Sequence, residues 1–372
     1  MADLIDLYHH GQSIWLDNIN RDLVAGNGLK RLTEIGLRGV TSNPTIFHKA
    51  IADSHAYDGS IKELLHADPR ADEHTLYEWL TIQDVQMAAD ILRPVYDSSE
   101  GHDGFVSLEV SPHLAHDTEG TIDRVRHLWR RVDRENVMIK VPATQAGLPA
   151  IERLIGEGIN INVTLLFSVS RYEDVAHAYV RGLAQNPHPQ RVASVASFFV
   201  SRVDTKLDPI LAEMDAPEAH ALQGKVAVAN ARVAYQRFKQ IFFTEEAFEQ
   251  QRRRGAQVQR LLWGSTSTKN PAYRDVMYVE ELIGPQTVNT VPNETLDAFL
   301  DHGEIRPSLE EDAQGAFRII DGLAALGIEY GTVMGELEME GVEKFNKSYD
   351  DLQAALRSYR DDVSRGYAKS GV

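Results

Sequence analysis

A lysine, two carboxylates and a set of amides and hydroxyls interrupt apolar runs of this sequence in a pattern suited to covalent carbonyl chemistry. Lys140 lies in Val137-Met138-Ile139-Lys140-Val141, Glu109 in Phe105-Val106-Ser107-Leu108-Glu109-Val110, and Asp17 closes the run Ser13–Asp17. If each run is a β-strand, successive side chains point to opposite faces. Ser107 and Glu109 then share a face, and Lys140 stands opposite Ile139 and Val141. Asn160, Asn162 and Thr164 alternate with Ile161, Val163 and Leu165, and Asp17 with Leu16. A charge inside such a run costs several kcal/mol unless it is paired. Two readings follow. One is a buried Lys140–Glu109 ion pair that holds the interior of the fold. The other is an amine whose pKa is lowered by desolvation, so that it attacks a carbonyl and forms a Schiff base while a carboxylate moves protons.

Such groups converge only if the elements bring them together. Eight short β-branched runs recur along the chain: Ser13–Asp17, Arg38–Ser42, Phe105–Val110, Val137–Pro142, Ile159–Phe167, Arg191–Val200, Val258–Thr266 and Pro285–Thr290. Helical periodicity separates most of them. Tyr172, Val175, Ala176, Tyr179, Val180 and Leu183 form one apolar face, with Ser170 and Glu173 as a capping box at its start. Leu148–Ile155 is a shorter helix, ended by Gly156 and Gly158. Strands alternating with helices imply a parallel sheet, and eight units imply its closure into a (β/α)8 TIM barrel. An open doubly wound sheet is the rival, but neither a G-x-G-x-x-G nor a G-x-x-x-x-G-K-[ST] motif supports its nucleotide-binding forms. Two crossovers carry extra helices. Ala52–Gly104, between strands two and three, has helical patterns at Ser60–Leu65 and Leu76–Ile91, and Glu218–Phe243, between strands six and seven, reads as one long helix. The tail from Ala313 to Val372 is largely helical and would cover the barrel or one of its mouths. With no linker, low-complexity stretch or tandem repeat, residues 1–372 read as a single elaborated domain. The apolar side chains should face the helices, leaving Asp17, Glu109, Lys140, Asn162 and Thr164 inside, at the strand ends where barrels do their chemistry.

Composition narrows the class. The chain of 372 residues carries 38 Lys and Arg against 55 Asp and Glu, a net charge of −17. That balance argues against a general nucleic-acid binder, yet permits a small anionic substrate held by a local cationic cluster. The absence of cysteine removes disulfides, thiol catalysis and thiolate-bound zinc. The N-terminus has no signal-peptide pattern, and no apolar run approaches the ~18 residues of a membrane span. A soluble, cytoplasmic protein without membrane partners is expected.

Six segments together carry a resemblance. They are Gly39-Val40-Thr41-Ser42-Asn43-Pro44, Ser107-Leu108-Glu109-Val110, Met138-Ile139-Lys140-Val141-Pro142-Ala143-Thr144, Asn160 to Ser168, Ser197 to Asp204, and Trp263 to Asn270. In this order, each at a strand end, they closely resemble the transaldolase family, over about Ser13 to Pro292, and the length and long helices are similar to its longer bacterial branch. The resemblance implies roles. Lys140 is the Schiff-base lysine, Glu109 assists carbinolamine dehydration through a water that Thr164 positions, and Asp17 takes the proton from the C4 hydroxyl. Asn43 and Asn162 hold substrate hydroxyls, with Thr41 and Phe199 among the substrate-binding residues. Ser197, Arg202 and Lys269 form the phosphate site. Lys269 stands where other branches have Arg, so a point charge replaces a bidentate fork; Phe198 after Ser197 stands where they have Pro.

The implied reaction moves a dihydroxyacetone unit from a ketose phosphate to an aldose phosphate, as in the non-oxidative pentose phosphate pathway. It requires neither metal nor cofactor, because the iminium serves as the electron sink. A homodimer fits the resemblance, although a barrel face used for one leaves no mark in the sequence. Two alternatives stand beside it: a Schiff-base fructose-6-phosphate aldolase that releases free dihydroxyacetone, and a catalytically silent barrel scaffold. Aldolases of that type have Gln at the Glu109 position and Tyr at the Phe199 position. A silent scaffold would lack Lys140 or Asp17. Other features read as structural: His113 and His116 as loop histidines, Arg252–Arg254 as a solvated face, and Phe345 with Tyr349 as core contacts.

Overall fold

The computed structural model describes residues 2–52 and 54–370, so the last two residues of the helical tail lie outside the described residues. Eight strands form the centre: β1 (Gln12–Leu16), β2 (Gly39–Thr41), β3 (Phe105–Glu109), β4 (Val137–Pro142), β5 (Ile161–Leu166), β6 (Ser194–Phe199), β7 (Arg260–Gly264) and β8 (Thr287–Val291). They pair in parallel and in chain order, and β8 returns to β1, closing a barrel. The fold is the expected (β/α)8 barrel.

The inward rows divide along the barrel axis. Near its N-terminal end Trp15, Phe105, Met138, Val195, Leu262 and Val288 pack as a separate apolar cluster. Two residues further along the strands the same parity gives Asp17, Ser107, Lys140, Ser197 and Thr290, and two beyond Ser107 it gives Glu109. The expectation that apolar side chains face only the helices is therefore corrected: the lower interior is apolar and only the upper interior is polar. Gly39 makes room for this packing, since a Cβ there would lie 2.5 Å from the Trp15 ring. Below the cluster, buried Asp103 accepts hydrogen bonds from Ser13 Oγ (2.8 Å), Trp15 Nε1 (3.1 Å), Arg38 Nε (3.0 Å) and Arg260 Nη2 (3.0 Å), tying β1, β2 and β7 to the approach to β3.

The long crossovers hold helices, as expected. Between β2 and β3 lie Pro44–Ala52, Asp58–Ala67 and the 26-residue helix Glu73–Ser98. Between β6 and β7 the single helix expected over Glu218–Phe243 is instead two, Pro217–His220 and Val226–Phe243. Gly224 breaks it: its φ is +69°, and a Cβ there would lie 2.8 Å from the Tyr273 ring. The helix after β5 spans Val169–Gln185, and its cap is Ser168, whose side chain accepts from Arg171 N, rather than Ser170. After β8 the chain forms Asn293–His302, Ala313–Ala325 and a terminal helix of 41 residues, Tyr330–Ser370.

The terminal helix lies across the C-terminal mouth of the barrel. Gly341 packs against Leu165, Phe167 and Arg202, while Ser348 hydrogen-bonds Thr45 at 2.8 Å. Ion pairs fasten it on both sides, Lys206 with Glu336 (2.9 Å) and Glu340 (2.6 Å), and Glu73 with Arg360 (3.0 Å). Among the described residues no helix is long and apolar enough to cross a membrane.

Candidate active site

Strand register sets the centre of the site. Glu109 on β3 pairs with Lys140 on β4, and Lys140 with Asn162 on β5, so the three stand side by side at one level of the barrel. Lys140 Nζ donates to the Ser42 carbonyl at 2.9 Å and lies 3.5 Å from Glu109 Oε2. Both side chains are almost wholly enclosed, 6% and 2% exposed. Asn162 Nδ2 donates to Ser107 Oγ at 3.0 Å, and its Oδ1 accepts from Ser197 Oγ at 2.6 Å. The amide is thereby held in one orientation.

Thr164 sits two residues along β5 and opposite Pro142. Immediately after it the strand bulges: the register slips between Val163 and Leu166, and Leu165 adopts φ +61°. That conformation costs a non-glycine residue on the order of 1–2 kcal/mol, which the surrounding barrel must supply. Thr164 Oγ1 and both Glu109 carboxylate oxygens are buried without a hydrogen-bond partner in the protein. Buried acceptors and hydroxyls are rarely left unmatched, so this corner is built to receive polar groups from a ligand or solvent.

Asp17 stands just past β1, its backbone N–H bonded to Val291 O at 2.8 Å. Its Oδ1 accepts from Thr41 Oγ1 at 2.8 Å, and that hydroxyl also meets Thr290 Oγ1 at 2.6 Å. Thr41 is buried and orients Asp17. Asn43 caps the helix Pro44–Ala52 through its Oδ1, bonded to Ile46 N at 2.9 Å, and its side-chain amino group remains for other partners.

Above this layer opens a cavity of about 1030 Å³ whose wall includes Asp17, Asn43, Phe199, Arg202, Ser267 and Lys269. Arg202 lies 5.2 Å from the Phe199 ring and 6.0 Å from the Phe345 ring. Lys269 Nζ donates to Ser267 Oγ at 2.5 Å. Ser197, expected with these cations, is bonded to Asn162 in the barrel interior, and Ser267 takes the position beside Lys269. Strand-parity reasoning missed Ser267, Lys49 and Lys344, which all line the cavity from loops or helices. Phe345 is a core contact as expected, and also part of the cavity wall. His113 pairs with Asp350 of the terminal helix at 2.7 Å.

Burial drives the electrostatics. Desolvation pushes the Glu109 carboxyl up to about 7 against the opposing pull of Lys140, with Asp17 adding a further upward push. Desolvation also raises Asp17, opposed by Lys140, the Thr41 hydrogen bond, Arg202 and Lys269. Arg202 and Lys269 are both lowered, chiefly by burial. An enclosed amine beside a carboxyl that titrates near neutrality, a second base nearby and cations above them form an arrangement for carbonyl chemistry on an anionic substrate.

The sequence model of the family described as "Transaldolase/Fructose-6-phosphate aldolase" matches residues 14–356. The chain belongs to this family. Similar proteins include a "Transaldolase 2" of Nostoc punctiforme, 46% identical over 372 residues, covering 95% of this chain and 96% of that one. A "Transaldolase" of Mycobacterium ulcerans is 45% identical over 361 residues, with the same coverage. A "Transaldolase" of Mycobacterium tuberculosis is 44% identical over 361 residues, again with 95% and 96% covered. The family match spans all eight strands except the first two residues of β1, and it includes Lys140, Glu109 and Asp17.

Proposed function

We propose that this chain is a transaldolase that moves a dihydroxyacetone unit between sugar phosphates through a Schiff base on Lys140. The observation that carries the reading is the enclosed Lys140–Glu109 pair, 3.5 Å apart, beneath a cavity walled by Asp17 and by cations. The Lys140 amine, once its proton has passed to Glu109, attacks the C2 carbonyl of a ketose phosphate. Protonated Glu109 then returns a proton, through a water held with Thr164, to the carbinolamine hydroxyl, which leaves as water. Asp17 removes the proton from the C4 hydroxyl, the C3–C4 bond breaks, and its electron pair enters the iminium to give an enamine on Lys140. The shortened aldose phosphate departs with a new C=O. A second aldose phosphate reverses the steps, and hydrolysis of the new imine frees Lys140. Asn43 and Asn162 hold substrate hydroxyls, while Arg202, Lys269 and Ser267 hold the phosphate.

The reaction belongs to the interconversion of pentose, hexose and heptose phosphates, and fits a cytoplasmic protein built as a single barrel unit. The test supplies fructose 6-phosphate with and without erythrose 4-phosphate and measures glyceraldehyde 3-phosphate and sedoheptulose 7-phosphate. Transfer predicts sustained turnover only with the acceptor. Sustained turnover without it, releasing free dihydroxyacetone, would contradict the reading.

A further inference from the structure

The cavity holds more positive charge than one phosphate requires. Lys49, from the helix Pro44–Ala52, and Lys344, from the terminal helix, line it together with Arg202 and Lys269. None of these four cations has a carboxylate within 4.0 Å among the described residues. Lys206, by contrast, lines the same cavity but is paired with Glu336 and Glu340. Asp17, Asp22, Glu294 and Glu340 also line the wall; at longer range Glu294 and Asp17 attract Lys269, and Glu340 and Asp17 attract Arg202. The four cations repel one another: Lys344 is lowered first by Arg202, then by burial, Lys269 and Lys49. An anion bound between them would relieve that mutual repulsion.

The terminal helix is shaped for this position. Leu337, Glu340 and Lys344 fall on one helical stripe that lines the cavity, and Phe345 follows beside it. Gly341, on the same stripe, permits the close approach, since a Cβ there would lie 3.0 Å from Leu165 and 3.5 Å from Arg202. We infer that Lys344, assisted by Lys49, is a specificity-determining residue that binds the substrate phosphate from the terminal helix. In this arrangement it supplies, from the terminal helix, the charge contact that the single ammonium of Lys269 cannot make as a fork. A phosphate monoester carries about −1.5 to −2 at neutral pH, enough for several simultaneous cationic contacts. This role rests on the transaldolase reading for its substrate, but not for its anion.

The experiment compares the full-length protein with Lys344→Gln and Lys344→Arg. Inorganic phosphate is titrated calorimetrically, which needs no turnover, and kcat and KM are measured for fructose 6-phosphate and for fructose with unphosphorylated erythrose as common acceptor. Lys344→Gln should weaken phosphate binding and raise KM for fructose 6-phosphate by about tenfold, with kcat changed less than about twofold. Fructose should lose far less, and Lys344→Arg should restore most of the affinity. Unchanged phosphate binding in Lys344→Gln, or equal losses for both sugars, would overturn the assignment. Absence of transfer in the parent protein with phosphate binding still dependent on Lys344 would refute the reaction and leave the anion site standing.

Discussion

Two carboxylates near one amine stand in different surroundings, which suit them to different tasks in the proposed reaction. Glu109 faces Lys140 without a hydrogen-bond partner of its own and titrates at about 7, so it can hold and release a proton at neutral pH. Asp17 is anchored by Thr41, borders the open cavity and is raised from its ordinary value. Replacing Glu109 by Ala should slow imine formation, on the order of 10²–10⁴-fold for a lost general acid, whereas Asp17→Ala should still form the imine with fructose 6-phosphate but fail to cleave C3–C4. Single-turnover borohydride trapping of both variants separates the steps. Fast trapping in Glu109→Ala together with none in Asp17→Ala would reverse the roles. These two residues and Lys140 were legible in the sequence, because a charge alternating with apolar neighbours in a short strand must point inward. Ser267, Lys49 and Lys344 were not, since they reach the cavity from a loop and from helices, where strand parity has nothing to say.

At the scale of elements, the eight strands were readable from their apolar runs, and their ends differed from expectation by a few residues. What escaped were features set by local backbone or by distant packing: the bulge at Leu165, the interruption at Gly224 and the cap at Ser168 in place of Ser170. The helix Ser201–Glu213, which presents Arg202, illustrates how tertiary contacts take over. Its Asp204 is buried, accepts from Ala227 N at 2.7 Å and Tyr278 Oη at 2.9 Å, and is raised to about 7 mainly by desolvation. The folded protein therefore keeps a proton that the unfolded chain releases near pH 4. Its contribution to stability is largest below pH 4, declines as pH rises from 4 to 7, and is flat above that. Asp204→Asn keeps its carbonyl for Ala227 N, lets its amide donate to Tyr278 Oη, and removes the titration. Unfolding free energy measured from pH 4.5 to 7.5 should fall less steeply in the variant, by on the order of 3 kcal/mol across the window. Parallel pH curves for the two proteins would contradict this.

On the scale of the whole molecule, a strongly acidic protein gathers four cations without a close carboxylate around one mouth of the barrel, the mouth through which the proposed sugar phosphate would enter. The apolar lower interior and the Asp103 network hold the opposite end closed, while the terminal helix forms a wall of the open end. That a helical tail would cover the barrel or one of its mouths was expected from the sequence, but which mouth it covers, and through which residues, is decided by packing at Gly341 and by ion pairs far apart in sequence. All of this converges on one amine. Borohydride reduction in the presence of fructose 6-phosphate, followed by mass analysis of the digested protein, tests that convergence most directly. A reduced three-carbon fragment attached to the peptide containing Lys140, with labelling and transfer both lost in Lys140→Ala, is the predicted result. A fragment on a different lysine, with Lys140→Ala still transferring, would contradict the account.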